Sequence, residues 1–420
     1  MDMSEHPLRA PWLEAIAVVF GETPVYAVGG AVRNALLGLP VSDVDLCGAA
    51  RPGEVQAFCE GTGVTAKLRA AHFGTVELHT NGHMAEYTTF RQDSYRGGHQ
   101  PFAVRFADSL DVDALRRDFS VNALYTPLDR PAEVIDPAGG LAHLEARILH
   151  TVTEDPDQVL KDDGLRILRA ARFTAELGFT PTVALLRSAK KHVGLLSEIA
   201  PERKRAELTR LLMADTKYPA LKRSVPPVSA GLSVLVNTGA WPRLFGNLPP
   251  DALPAMDRTE TLSVGGKLAL LYCRKTPDEL LNAMQTLCYA KREARLAADA
   301  LTVCQGLGRG AAPADALHFG LPALQTAREL LAALAWLDPC YADALSAAEH
   351  LLVRAGEGIL PASLRELAIG GEDVSILCEE TGAPQNRIGA LLSALWREAA
   401  NGETPNTREA LLARARALLH

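Results

Sequence analysis

Within VYAVGGAVRNALLGLPVSDVDL, residues 25–46, a Gly-Gly pair and an arginine precede two aspartates that are one residue apart. Side chains alternate faces along a strand, so Asp43 and Asp45 would project from one side and Val44 and Leu46 from the other. Adjacent carboxylates repel, and a divalent cation between them turns the repulsion into attraction. Two such groups suit Mg2+, which takes one or two protein carboxylates and fills its remaining positions with water and phosphate oxygens. Glu86 shares a predicted strand face with Met84, Thr88 and Phe90, and is a third acid able to reach the same ion if the strands are neighbours. Gly29 and Gly30, at a strand-to-helix turn, leave backbone N–H groups bare for phosphate oxygens, with Arg33 and the helix dipole adding positive potential. Each feature alone reads as a tight turn or an ordinary strand end. Their order in one run, with Asp43 ten residues after Arg33, implies that a metal and a polyphosphate meet at one place.

A second cluster is RRDFSVNALY, residues 116–125. Read as a helix-like run, it places Asp118 and Asn122 at i, i+4 on one face. Their oxygens and amide suit ribose hydroxyls, and Arg117 suits phosphate; capping of a helix by Asp118 is the structural alternative.

These groups need elements to hold them. Apolar periodicity predicts a helix over 11–20, a strand at VYAVGG, a helix over 31–37 and a strand at DVDLCG. Asn81-Gly82 between two strand-like runs predicts a hairpin with a two-residue type I′ turn. From residue 157 to the end, apolar residues recur at helical spacing. The fold class is therefore α+β, a mixed sheet with helices followed by an all-helical remainder. Residues 224–256 and 306–316, rich in Pro and Gly, read as loops between helical units. A chain of 420 residues implies several domains.

The net charge of −7 excludes a protein that is basic throughout. Locally, residues 161–223 carry 14 Lys/Arg against 7 Asp/Glu, a candidate face for a polyanion. Seven scattered cysteines, with no Cys-x-x-Cys, suggest neither a disulfide framework nor a zinc site. No run approaches a membrane span and MDMSEHPLRAPW has no signal-peptide core, so a cytoplasmic location is expected.

Taken in order, GGAVRNALLG with DVDL, RRDFSVNA, DPAGG, DDGLRILRAARF and PERKRAEL resemble the class II tRNA nucleotidyltransferases, the CCA-adding enzymes, and the related bacterial poly(A) polymerases. The resemblance is strong over residues 22–212 and weaker to the C-terminus. It implies a catalytic nucleotidyltransferase head at 1–150, a base-reading helical neck at 151–223 and a tRNA-binding helical body and tail at 224–420. It also implies Asp43 and Asp45 on catalytic Mg2+, Gly29, Gly30 and Arg33 on the triphosphate, and Asp118 with Arg117 on ribose and phosphate. In this family a Glu-Asp-x-x-Arg helix reads the incoming base. Glu154-Asp155 lacks the arginine, since Gln158 stands there; Asp162-Asp163-Gly-Leu-Arg166 fits, with Asp163 and Arg166 three apart on one helix face and Arg169 and Arg172 continuing toward the phosphates. A carboxylate accepts from the exocyclic amine of C or A and a guanidinium donates to a ring nitrogen or carbonyl, so Asp163 and Arg166 should favour CTP and ATP. Asn34, Ser120 and Asp162 depart from the family's aspartate, threonine and glutamate, and the last should loosen base selectivity.

The expected reaction is CCA addition to tRNA 3′ ends from CTP and ATP by two-metal catalysis, with pyrophosphate leaving and no side-chain nucleophile. Lys190, Lys191, Arg203, Lys204 and Arg205, within a basic stretch from Arg187 to Arg223, are the expected tRNA contacts. No membrane or protein partner is implied. Poly(A) synthesis, CC-only or A-only addition, and a non-catalytic RNA-binding protein are the alternatives. The loop 92–104 is where the specialised variants should differ, and His318 and His350 read as ordinary surface or packing residues.

Overall fold

The computed structural model describes residues 7–94 and 103–420, which fall into two compact units, Met1–Asn247 and Leu248–His420. In the first, a six-stranded sheet has the order β3-β4-β5-β2-β1-β8. Its strands are β1 (Val25–Val28), β2 (Asp45–Gly48), β3 (Thr65–Ala70), β4 (Thr75–Thr80), β5 (His83–Thr89) and β8 (Tyr125–Pro127), while β6 (Arg91–Ser94) and β7 (Ala103–Phe106) form a separate hairpin. Only the β2–β5 pair in the six-stranded sheet is parallel. The helices are α1 (Pro11–Phe20), α2 (Gly30–Leu36), α3 (Pro52–Cys59), α4 (Leu110–Leu115) and α5 (Gly140–Glu145). β2 is central and its last three residues are buried; β4 alternates, with Val76, Leu78 and Thr80 inward. Thr80 pairs with His83 across Asn81 (φ 49°) and Gly82 (φ 77°), the two left-handed positions that the predicted turn requires.

Two sequence expectations shift here. β2 begins at Asp45, so Asp43 precedes the strand, although exposed Asp43 and Asp45 still alternate with buried Val44 and Leu46. RRDFSVNALY is not one helix: α4 ends at Leu115 and a single 3-10 turn spans Ser120–Asn122. The phenylalanine and valine of that run are wholly buried, and side-chain hydrogen bonds replace the helical register.

The helical part of the first unit comprises α6 (Pro156–Asp162), α7 (Arg166–Leu177), α8 (Val183–His192), α9 (Pro201–Leu212), α10 (Ala214–Lys217) and α11 (Pro227–Thr238). α7 is buried nearly all round and packs on α9 and α11. Gly231 makes this possible, because a Cβ there would lie 2.7 Å from the Ala171 carbonyl oxygen. The stretch 224–256 is thus less loop-like than its composition suggests. Pro227 of α11 and Pro242 of Trp241–Phe245 sit at N-terminal helix positions, where a missing N–H costs nothing.

The second unit packs the Ala- and Leu-rich helix Leu321–Leu337 against Lys291–Gly308 and Ala342–Gly356, followed by Gly371–Thr381, Ile388–Asn401 and Arg408–Leu419. Among the described residues no helix is long and apolar enough to cross a membrane.

Candidate functional site

β1 ends at Val28, Gly29 turns the chain at φ 71° and ψ −127°, and α2 starts at Gly30. An L side chain rarely adopts that conformation, so the glycine is a backbone requirement. Val28 is the register partner of Asp45, which sets the carboxylate strand beside the glycine turn. Asp45 in turn pairs with Glu86 across the parallel ladder. Asp43 makes a 3.2 Å hydrogen bond with Ser42, and Asp45 makes no hydrogen bond or ion pair among the described residues. Although its surface is open, partial desolvation in the cleft raises the Asp45 carboxyl pKa, with Arg117 opposing the effect and Asp43 adding to it. Glu86 is raised by burial, then by Asp45 and Glu77. Glu86 does not line the cleft described below, and among the described residues no group of three or more His, Cys, Asp or Glu is arranged to hold a metal ion. The exposed aspartate pair is therefore the available hard-oxygen donor set, and its chemistry fits Mg2+.

Arg33 of α2 is buried. Its Nη1 donates to Asn122 Oδ1 at 2.5 Å, and its Nη2 and Nε donate to Asn34 Oδ1 at 2.9 and 3.3 Å. Burial lowers its pKa, with nearby Arg172 also lowering it. All its hydrogen-bond partners are neutral amide oxygens. Asn122 Nδ2 donates to Asp118 Oδ1 at 2.9 Å, so the expected Asp118–Asn122 pairing exists although no helix carries it. Asp118 Oδ2 receives Arg169 Nε at 2.6 Å and Nη2 at 2.5 Å. Burial would raise the Asp118 pKa, but Arg169 and Asn122 override it and hold the carboxyl well below the usual range. Asp118 caps no α-helix. Arg117 donates to Tyr125 Oη and to buried Asp113, each at 2.9 Å, and lies 3.6 Å from where a Cβ on Gly29 would stand.

On the other wall, Asp163 lies between α6 and α7 and accepts from Leu165 N at 2.9 Å. The expectation that Asp163 and Arg166 share one helix face fails, because α6 ends at Asp162 with Asp163 as its C-cap and α7 starts only at Arg166. Arg166 Nη1 and Nη2 donate to the Val159 and Arg116 carbonyls at 2.9 and 2.5 Å. Burial raises the Asp163 pKa. Arg172 is buried between Glu207 (2.6 Å) and Glu176 (3.0 Å). The guanidinium carbons of Arg172, Arg33 and Arg169 lie 4.1, 5.1 and 5.4 Å from the Phe173 ring centre, so one aromatic ring gathers three cations. Asp162 ends α6 and accepts from Gln158 Nε2 at 2.7 Å.

These residues surround one open cleft of ≈ 500 Å³. Of its lining side chains ten are Arg or Lys and five are Asp. Gly29, Gly30, Arg33, Asp43, Asp45, Arg117, Asp118, Asn122, Asp163, Arg166, Arg169 and Arg172 all contribute, so the sequence-predicted site converges apart from Glu86. Arg91, Arg116, Arg210, Lys217 and Tyr218 also line it and were not singled out; only the basic composition of 161–223 pointed toward Arg210 and Lys217. Arg203, one of the expected tRNA contacts, lines the cleft. Lys190 is exposed, Lys191 is tied to Asp157, and Lys204 donates to the Leu196 carbonyl at 3.3 Å. Arg223 staples the Glu176 and Ala214 carbonyls. Residues 95–102 of the 92–104 loop lie outside the described residues.

Residues 25–150 match the family model "Poly A polymerase head domain". A CCA-adding enzyme of Lactiplantibacillus plantarum is 30% identical over 427 residues, covering 98% of this chain and 96% of that protein. One from Geobacillus stearothermophilus is 30% identical, covering 97% of each. The crystal structure of a Bacillus stearothermophilus CCA-adding enzyme in complex with CTP superposes with a TM-score of 0.75 at 25% identity, covering 97% of this chain and 98% of that one.

Proposed function

This chain belongs to the CCA-adding enzyme family, and on that premise we propose that it adds C, C and A to tRNA 3′ ends, with the cleft of the first unit as its nucleotide site. The observation that carries the assignment is an asymmetry of pairing. Asp43 and Asp45 stand exposed without a cationic partner in contact, while Arg33, facing the same cleft, donates only to neutral oxygens. Those are the two ends a metal–triphosphate complex needs.

In this reading Asp43 and Asp45 hold Mg2+, which when bound supplies Lewis-acid stabilisation of charge at the reacting phosphate. Glu86, opposite Asp45 on β5, keeps local negative potential at that edge rather than lining the cleft. Gly29 and Gly30 let the backbone approach the phosphate chain, and Arg33 and Arg117 neutralise its oxygens. Asp118 and Asn122 accept and donate at the ribose. Asp163, desolvated between α6 and α7, accepts from the exocyclic amine of C or A, with Arg166 donating beside it. Arg169 and Arg172 hold this wall in place. The pyrophosphate leaving group departs along the same arginines, and no side-chain nucleophile is required.

We assign residues 1–150 to the head, 151–223 to the neck and 224–420 to body and tail, the helical parts binding tRNA by shape and phosphate contact. Lys190, Lys191, Arg203, Lys204 and Arg205 are the basic residues for that contact, and affinity should fall steeply with salt. The decisive experiment offers the protein three tRNAs, ending before CCA, after C and after CC, with CTP, ATP or both, and sequences the products. Addition of C, C and A followed by a stop supports the assignment. Long A tails would move it to poly(A) synthesis.

A further inference from the structure

Tyr218 follows α10, and the structure brings it against Asn34, 184 residues earlier in the chain. Both side chains are buried, yet both line the cleft. The Asn34 amide has a fixed orientation because its partners allow no other. The Arg33 guanidinium can only donate, so it marks Oδ1. The Pro40 carbonyl can only accept, and it is met at 2.9 Å by Nδ2. The same Nδ2 lies 3.0 Å from Tyr218 Oη, which must therefore act as the acceptor of that bond. The phenolic proton is left without an acceptor among the described residues. Arg33, Arg172 and Lys217 line the same cleft, the last with its ammonium 5.5 Å from the Tyr218 ring centre. A phenol held as acceptor on one side, at the wall of a cationic cleft, is a directed O–H donor for an anionic oxygen.

We propose that Tyr218 is a further substrate-binding residue, donating its hydroxyl hydrogen bond to the phosphate chain of the bound nucleoside triphosphate while Asn34 fixes its orientation. The inference rests on the nucleotide-transfer reading above. Asn34 carries a double duty in it: one amide aligns Arg33 through its oxygen and aims Tyr218 through its nitrogen. Its bond to Pro40 also anchors the start of the segment that leads to Asp43.

The test uses the full chain, incorporation of labelled CTP into tRNA lacking its 3′ CCA, and inorganic tripolyphosphate as competing probe. A hydrogen bond to a charged acceptor supports a rise of about tenfold in the tripolyphosphate inhibition constant for Tyr218→Phe. The turnover number should stay within about twofold, because the contact is made equally in ground and transition states. An unchanged inhibition constant would overturn the proposal. A second readout is independent of the variant's stability: tripolyphosphate should give the wild-type protein a tyrosine ultraviolet difference spectrum that Tyr218→Phe lacks. Its absence in the wild type would equally overturn the idea. Arg33→Ala separates the two levels of inference. If it too leaves inhibition unchanged, the phosphate site itself is misassigned; if it weakens inhibition while Tyr218→Phe does not, only the role of Tyr218 is lost.

Discussion

On the wall built by α7, Arg169 and Arg172 are each held by carboxylates: Asp118 for the first, Glu207 and Glu176 for the second. On the wall built by β1, α2 and β2, Arg33 touches only amide oxygens, and Asp43 and Asp45 touch no cation. A buried ion pair with satisfied hydrogen bonds holds geometry, whereas an uncompensated charge at a cleft is held ready for a ligand. The helical wall is thus a fixed frame and the sheet wall is the part that waits for metal and phosphate.

The contrast breaks first, and most severely, on the frame. Arg172→Met leaves Glu207 and Glu176 buried with their main partner gone, and should cost about 3–5 kcal/mol of unfolding free energy in a urea titration. Arg33→Ala should do the opposite: unfolding free energy changes little, while nucleotide triphosphate affinity falls by about 1.5–3 kcal/mol in calorimetry. Equal effects of both substitutions on stability would dissolve the distinction between the walls. Gly29→Ala places a Cβ residue at φ 71° and should cost about 1–3 kcal/mol, read from the same titration.

Asp118 joins the two walls, and its pH dependence sharpens the comparison. Burial alone would raise its pKa, but Arg169 and Asn122 depress it below the unfolded value. A depressed carboxyl contributes stability that is present above about pH 4, the unfolded pKa, and is lost as pH falls toward the folded value. Asp118→Asn should therefore be less stable than wild type by about 1–3 kcal/mol at pH 7, and the gap should narrow as pH is lowered below about 4. The smallest effect is expected for Asp162→Glu, whose side chain holds Gln158 at the end of α6. Stability should change by no more than about 0.5 kcal/mol, while the ratio of CTP to UTP incorporation rises.

How much of this was legible in the sequence follows from the range of the interactions. The glycine turn, the hairpin at Asn81-Gly82 and the alternation of Asp43 and Asp45 are local, set by φ preferences and strand period, and all three appear. The pairing of Asp118 with Asn122 also appears, but through a 3-10 turn, because burial of Phe119 and Val121 overrode helical spacing. Asp163 and Arg166 looked like one helix face; a break after Asp162 put the aspartate at a cap instead. Glu86 depended on β2 and β5 being neighbours, which they are, yet pairing with Asp45 does not make it a wall of the cleft. Arg33 to Asn122 and Asn34 to Tyr218 span 89 and 184 residues, and no periodicity reports contacts of that separation.

The central claim is that Asp43 and Asp45 together hold Mg2+ where the nucleotide's phosphates sit. Ligand binding to the native state raises the thermal midpoint by mass action, so the most direct measurement is the midpoint of the full chain with saturating CTP, with and without Mg2+. The wild type should gain a Mg2+-dependent rise that is absent from the Asp43→Asn, Asp45→Asn double variant. A rise of equal size in that variant would contradict the account.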